Sequence, residues 1–232
     1  MDKILCVISG GMDSATLLYK ALAWEGKTVE AISFDYGQRH VKELEYAAEL
    51  CRYLEVKHDI IDMSMLREHI GGSSLTDDIP VPDGHYTEAS MAITVVPNRN
   101  AIMLAIAYGI AVARNAEMVG AAMHAGDHAI YPDCRPAFVD AFNAMQKQAV
   151  EGHGHENLHL WTPFINKTKA EIAREGGEMG VDYTMTWSCY KGMGFHCGTC
   201  GTCYERREAF QESGVEDTTI YYGHATPEGV LS

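Results

Sequence analysis

Apolar runs and helical stripes alternate through the N-terminal quarter of the chain. Lys3–Ser9 (KILCVIS) is an unbroken apolar run, the pattern of a strand buried on both faces. Gly10-Gly11 interrupts it. From Asp13 to Trp24 the residues Leu17, Leu18, Ala21 and Leu22 fall on one helical face, and Gly26 closes the helix. Thr28–Phe34 predicts a second strand, Lys42–Leu54 a helix with charges on its outer face, and His58–Asp62 a third strand. Strands alternating with helices imply parallel pairing through right-handed crossovers, so the expected fold is an α/β doubly wound parallel sheet.

Further along, Gly71–Tyr86 is rich in Gly, Ser, Asp and Pro and reads as a long loop, a candidate lid. Asn98–Arg114 predicts a strongly apolar helix, Glu117–Met123 a strand, Arg135–Val150 a helix, Leu158–Trp161 a strand and Thr168–Gly180 a helix. Cys189–Cys203 is too polar and glycine-rich for core, so a separate small module is expected there, followed by a helix ending near Ser213. The expected division is an α/β domain over residues 1–186 and a metal module with C-terminal helix and tail over 187–232.

Composition narrows the function classes. A chain of 232 residues with 47% hydrophobic content can bury a core without disulfides. Its 32 acidic against 18 basic side chains give a net charge of -14, which opposes nucleic acid as a partner. The N-terminal residues lack a signal-peptide pattern, and the longest apolar run, Ala101–Ala113, is too short to span a bilayer. A cytoplasmic protein with no membrane partner is expected, and its seven cysteines read as thiols or metal ligands.

Between the first strand and first helix stands Ser9-Gly10-Gly11-Met12-Asp13-Ser14. Open parallel sheets bind ligands at that place. Two glycines let backbone N–H groups turn toward a phosphate, the helix N-terminus adds unpaired donors and partial positive charge, and Ser9 and Ser14 add hydroxyls. A carboxylate beside a phosphate cradle repels its ligand unless a divalent cation intervenes, so Asp13 points to Mg²⁺. A Gly-Gly turn capped by Asp13 or Ser14 is the plain alternative. The string lacks the Walker pattern and Gly-x-Gly-x-x-Gly, and resembles the pyrophosphate loop of the N-type ATP pyrophosphatases.

Cys189, Cys197, Cys200 and Cys203 are spaced for tetrahedral Zn²⁺, with Gly198 and Gly201 permitting the tight turns. Four thiolates leave no open coordination position, so one structural zinc per chain is expected. A redox pair at Cys197 and Cys200 is the competing reading, and His196 is read as a bystander. Cys6 and Cys51 read as core, and Cys134 is left open. His124, His128, His153, His155 and His159 are read as surface or loop histidines rather than a second metal site.

With both signatures in one chain, the sequence resembles the 7-cyano-7-deazaguanine synthase family from about Lys3 to Thr219. The likeness also rests on Phe34-Asp35-Tyr36-Gly37-Gln38-Arg39-His40, Val96-Pro97-Asn98-Arg99-Asn100, Tyr131-Pro132-Asp133-Cys134-Arg135 and Thr168-Lys169-Ala170-Glu171. It departs at Asn98, where many members have Gly; Asn tolerates left-handed backbone and can cap the helix that follows. It departs again at Ala129-Ile130, where Ser-Gly is frequent.

The resemblance implies an adenine nucleotide alpha hydrolase-like fold with a C-terminal four-cysteine zinc module. It implies a ligase acting on ATP with Mg²⁺, 7-carboxy-7-deazaguanine and ammonia, passing through an adenylated carboxylate and an amide to the nitrile, and a homodimer. The ATP-binding stretch would be Ile8, Ser9, Gly10, Gly11, Met12, Asp13, Ser14, Ala15, Thr16, Leu17 and Leu18. Ser9, Asp13, Ser14, Arg99 and Lys169 would carry the chemistry. Tyr36, Arg39, Tyr131, Asp133 and Arg135 would contact the substrate, and Lys167 is a further candidate cation. Other readings share the loop: another amidating adenylase, a sulfur transferase working through Cys134, or a nucleotide-binding regulator.

Overall fold

The computed structural model describes residues 2–38, 41–70, 72–84, 92–192 and 194–222. Five strands, β1 (Asp2–Val7), β2 (Lys27–Asp35), β3 (Lys57–Asp62), β4 (Met118–Gly120) and β5 (His159–Trp161), form one all-parallel sheet in the order β3-β2-β1-β4-β5. The chain builds outward from β1 to β3, then returns to the other side of β1 with β4 and β5. The order therefore reverses between β1 and β4, and a crevice opens outside their C-terminal ends.

Alternation along β1 explains the two layers. Leu5 joins Ile32, Val119 and Leu160 on one face. There they pack against α3 (Arg99–Ala113) and α4 (Pro136–Ala149) through Leu104, Tyr108, Val139 and Phe142. Ile4 and Cys6 point the other way, toward α1 (Met12–Leu22), α2 (Lys42–Tyr53), α5 (Lys169–Glu178) and α6 (Gly201–Ser213) through Leu18, Leu50, Ala173 and Phe210. Helices on both faces are what the apolar strands required.

Three elements differ from expectation. β1 ends at Val7, so Ser9 belongs to the loop. β4 covers only Met118–Gly120 because β5 offers three pairing residues; Ala121 makes one further bond, to Trp161 O at 3.0 Å, and the segment then leaves the ladder. The stretch read as a lid is partly core: Ser73 and Leu75 are fully buried, Leu75 within the α3 side of the core, while Tyr86 lies outside the described residues. No described helix is long and apolar enough to cross a membrane.

The cysteine segment is not clear of the final helix. Cys200 is the N-cap of α6 and Cys203 lies in its first turn, and all four cysteines are buried. Arg206 of α6 is 1% exposed and binds three segments: Nε donates to Thr219 Oγ1 (2.7 Å), Nη1 to Ser188 Oγ (3.0 Å) and Nη2 to Tyr183 O (2.9 Å).

Candidate functional site

A cavity of about 290 Å³ lies at the reversal of strand order. Its floor is the loop after β1. Gly10 has φ 85°, and a Cβ there would stand 2.1 Å from Glu43 O, so only glycine brings the loop this close to α2. Ser14 Oγ donates to Gly11 O at 3.0 Å and accepts from Ser9 N–H at 3.2 Å, which closes the turn at the start of α1. Of the stretch Ile8–Leu18, Ile8, Ser9, Gly11, Met12, Asp13 and Ser14 line the cavity. Gly10 sits buried behind them, and Ala15, Thr16, Leu17 and Leu18 are buried residues of α1 outside the cavity wall.

Asp13 stands in the first turn of α1. Its Oδ2 is 3.6 Å from Lys169 Nζ and 3.7 Å from His124 Nε2, while its Oδ1 is buried with no hydrogen-bond partner. An orphaned carboxylate oxygen facing a phosphate cradle fits a divalent cation, as the carboxylate's place in the string suggested. Lys169 opens α5 behind a capping box, in which Glu171 N–H donates to Thr168 Oγ1 at 3.2 Å. Its ammonium also meets Glu205 Oε2 at 2.9 Å. Burial works against the charge, yet Asp13, Glu205 and Asp127 outweigh it and hold Lys169 well above the usual lysine range.

His124 corrects the surface reading given to the histidines. It is 4% exposed, lines the cavity, and stands 3.5 Å from Asp127 Oδ2. Its Nδ1 accepts the Gly126 N–H at 3.2 Å, which leaves the ring proton on Nε2, toward the carboxylates. Burial raises Asp127 above the usual carboxylate range, against the pull of His124 and Lys169. His155 and His159 sit elsewhere, beside Asp2 and Asn157.

Arg99 lies on another wall and has different company. Its Nη1 donates to Tyr36 OH at 3.2 Å, and the guanidinium stands 5.6 Å from the Tyr36 ring centre. Tyr131 and Tyr190 face it as well. Burial pushes Tyr36 up to about 12 and also raises Tyr131 and Tyr190, so all three phenols stay neutral at physiological pH. Among the described residues Arg99 has no carboxylate partner. It also occupies the first position of a helix, where the dipole disfavours a cation.

Asn98 takes the left-handed conformation (φ 55°, ψ 21°), as its tolerance allowed, but its side chain caps nothing. Asp133 takes that role, accepting the Asn100 N–H at 3.2 Å. Asp133 and Arg135 do not line the cavity; Arg135 donates to His128 O (2.6 Å) and Ala129 O (3.3 Å) on the surface. Lys167 pairs with Glu175. Arg39 lies outside the described residues. Ser9, Asp13, Ser14, Tyr36, Arg99, Tyr131 and Lys169 share the cavity.

The four cysteine sulfurs lie within 4.8 Å of one another, the single such group of metal-ligating atoms among the described residues. Cys200 and Cys203 Sγ are 3.5 Å apart, Cys197 and Cys203 Sγ 3.9 Å. A tetrahedral ion with bonds of about 2.3 Å sets neighbouring sulfurs about 3.8 Å apart, so the donor set fits a single metal ion. Backbone N–H groups of Thr199 (3.4 Å) and Cys200 (3.2 Å) point at Cys197 Sγ, the support that a thiolate needs. His196 is outside this set: its Nε2 accepts the Ser188 N–H at 3.1 Å and its ring packs on Trp187.

His124, Asp127, Tyr190, Glu205 and Arg206 line the cavity without having been singled out as site residues. Their only signal was proximity to quoted strings: Tyr190 follows a cysteine ligand, and Glu205 and Arg206 lie just past the last one.

A family model described as "Queuosine biosynthesis protein QueC" matches residues 3–214. A 7-cyano-7-deazaguanine synthase from Ruegeria pomeroyi is 55% identical over 226 residues, covering 97% of this chain and 96% of that protein. A namesake from Allorhizobium ampelinum is 56% identical over 219 residues, covering 94% and 92%. In structure the chain is similar to NMN synthetase from Francisella tularensis, with a TM-score of 0.52 and 17% identity over 93% of this chain and 78% of that one, which speaks to fold alone. Identity above one half along nearly the whole length, under a family model that spans the sheet, the phosphate loop and the four cysteines, makes this chain an enzyme of the ATP pyrophosphatase type and a member of the QueC family.

Proposed function

We propose that the chain is an ATP-dependent ligase that converts 7-carboxy-7-deazaguanine and ammonia into 7-cyano-7-deazaguanine. The observation that carries this reading is the meeting, in one cavity, of a pyrophosphate-type loop and a half-buried arginine that has no carboxylate partner among the described residues. The substrate carboxylate, oriented by Arg99, attacks the α-phosphate of ATP, and pyrophosphate leaves against the loop N–H groups, Ser9, Ser14 and Lys169. Ammonia displaces AMP to give the amide. A second ATP adenylates the amide oxygen, and loss of AMP leaves the nitrile. Mg²⁺ held at Asp13 neutralises phosphate charge when bound. Preorganised cations and N–H donors act because negative charge grows on the phosphates as the bond breaks.

Tyr36 and Tyr131 wall the base pocket, with Arg39 a further contact. Asp133 and Arg135 act from outside it by fixing the loop that carries Tyr131. Burial pushes the Cys134 thiol well up, with Asp127 and Asp133 adding to it, which supports ammonia rather than a protein thiolate as nucleophile. Residues 187–232 form a structural zinc module beside an α/β domain of residues 1–186, in a cytoplasmic homodimer.

Product mass tests the reading. Purified protein given ATP, Mg²⁺, ammonium and 7-carboxy-7-deazaguanine should form the nitrile with AMP and pyrophosphate, and should carry about one zinc per chain. ADP and phosphate as products, or sulfur in the product, would overturn it.

A further inference from the structure

The segment just before the cysteine ligands is fastened at both ends to the working parts of the molecule. At its start, Trp187 N–H donates to Gly10 O at 2.8 Å, so the segment is bonded to the phosphate loop itself. In its middle, the Ser188 hydroxyl is held by Arg206 at 3.0 Å and the Ser188 N–H by His196 at 3.1 Å. At its far end, Trp187 Nε1 donates to Cys189 O at 2.8 Å, and Cys189, the residue directly before Tyr190, is one of the four converging sulfur ligands. These bonds leave the backbone that leads into Tyr190 little freedom.

Tyr190 itself leaves the sulfurs and enters the cavity. There it faces Tyr131, Arg99 and Tyr36, and it packs with the core residues under α3. A planar bicyclic heteroaromatic acid needs apolar faces for its rings and a cation for its carboxylate. Arg99 supplies the cation, and the aromatic rings that surround it come from the loop just after β2, from the loop after β4, and from the cysteine segment. The third wall is therefore supplied by the metal module, not by the α/β sheet.

We propose that Tyr190 is a specificity-determining wall of the acid-binding pocket, set in place by the four-cysteine loop. This rests on the function proposed above. The metal-binding sulfurs then do more than hold the chain together: because Tyr190 directly follows the ligand Cys189, they fix one face of the substrate pocket. ATP, seated on the phosphate loop, does not depend on that face. The inference thus predicts a split between the two substrates that a purely structural role would not produce.

The test compares Tyr190→Ala, Tyr190→Phe and Tyr190→Leu in the zinc-loaded protein, measuring KM for each substrate, metal content and melting temperature. Loss of an aromatic face against a ring system is expected to raise KM for the acid about 10- to 100-fold in Tyr190→Ala. KM for ATP should stay within about twofold, since that substrate loses no contact. Tyr190→Phe should restore KM for the acid with zinc and melting temperature unchanged. If Tyr190→Ala fails to fold or to hold metal, Tyr190→Leu keeps the apolar volume without the ring, and the same rise in KM for the acid is expected of it. An unmoved KM for the acid, or equal rises for acid and ATP, overturns the inference and leaves the ligase reading standing. A wild-type protein that does not turn over the acid overturns the ligase reading, and this inference falls with it.

Discussion

Two half-buried cations share one cavity and are held in opposite ways. Lys169 stands among Asp13, Glu205 and Asp127, and its charge is matched by the protein before any ligand arrives. Arg99 is faced by phenols that burial keeps neutral, and no described carboxylate answers it. An unpaired charge withdrawn from water weighs against folding, whereas close counter-charges offset much of that cost for a paired one, and removing a partner exposes it. The lysine is thus part of a finished network of charges, and on the proposed function the arginine would take its counter-charge from the substrate. On the proposed function, one cavity would in this way hold a polyanion at one end and a free carboxylate at the other without either site claiming the other's ligand.

The comparison is most exposed at Asp13. Asp13→Asn keeps the size of the side chain and removes the charge facing the cradle. It should lower the rate of Mg²⁺-dependent pyrophosphate release about 100- to 1000-fold with the fold intact. A rate within a few-fold of wild type would mean that the phosphate side does not need its carboxylate.

The next test removes each cation in turn. Lys169→Met strands three carboxylates, and even with partial exposure should cost about 1–2 kcal/mol, a fall of roughly 2–8 °C in melting temperature. Arg99→Met removes an unanswered charge and should leave the melting temperature equal or higher, while weakening binding of the acid. Equal falls in both variants would erase the distinction between the two cations.

The smallest effect concerns Asp127, whose burial lifts it above the ordinary value of 3.8. A raised folded-state value favours the folded protein below the unfolded value, and that advantage is lost as pH rises through the folded value. At neutral pH the ionised carboxylate therefore weighs against folding. Asp127→Asn should raise the melting temperature by about 1–3 °C at pH 7, with the gain fading as pH falls toward 4. A gain that grows on acidification would contradict the burial argument.

The parts of this molecule that were legible in the sequence are those written locally. The run from Lys3, the glycine pair and the stripe of α1 announce a strand, a turn and a helix within a few residues of one another. Cysteine spacing is likewise a local signal, and the four sulfurs do converge. The site's lateral walls were not legible, because each depends on contacts between distant segments. His124 was read as a loop histidine since nothing near it in sequence reveals that β4 ends beside β1 and delivers it to Asp13. Asp133 sits in a string that looks like a recognition motif, yet its carboxylate caps a helix that begins more than thirty residues earlier, a bond between Asp133 and Asn100 that no local pattern encodes. The packing of Gly71–Tyr86 was illegible for a related reason: small polar residues mark a loop, but not whether the loop is packed, and Leu75 is.

Arg206 has a consequence for the order in which the enzyme comes into being. During synthesis the phosphate loop emerges within the first twenty residues, and the sheet is fully present once β5 has appeared. The cavity is still open then, because Glu205 and Arg206 have not yet been made and the bonds from Arg206 to Tyr183, Ser188 and Thr219 are missing. A nascent chain, or one cut short before α6, would carry a complete nucleotide loop beside an unfinished wall. The wall of a cavity begun at residue 9 is thus completed only by side chains made near the close of translation.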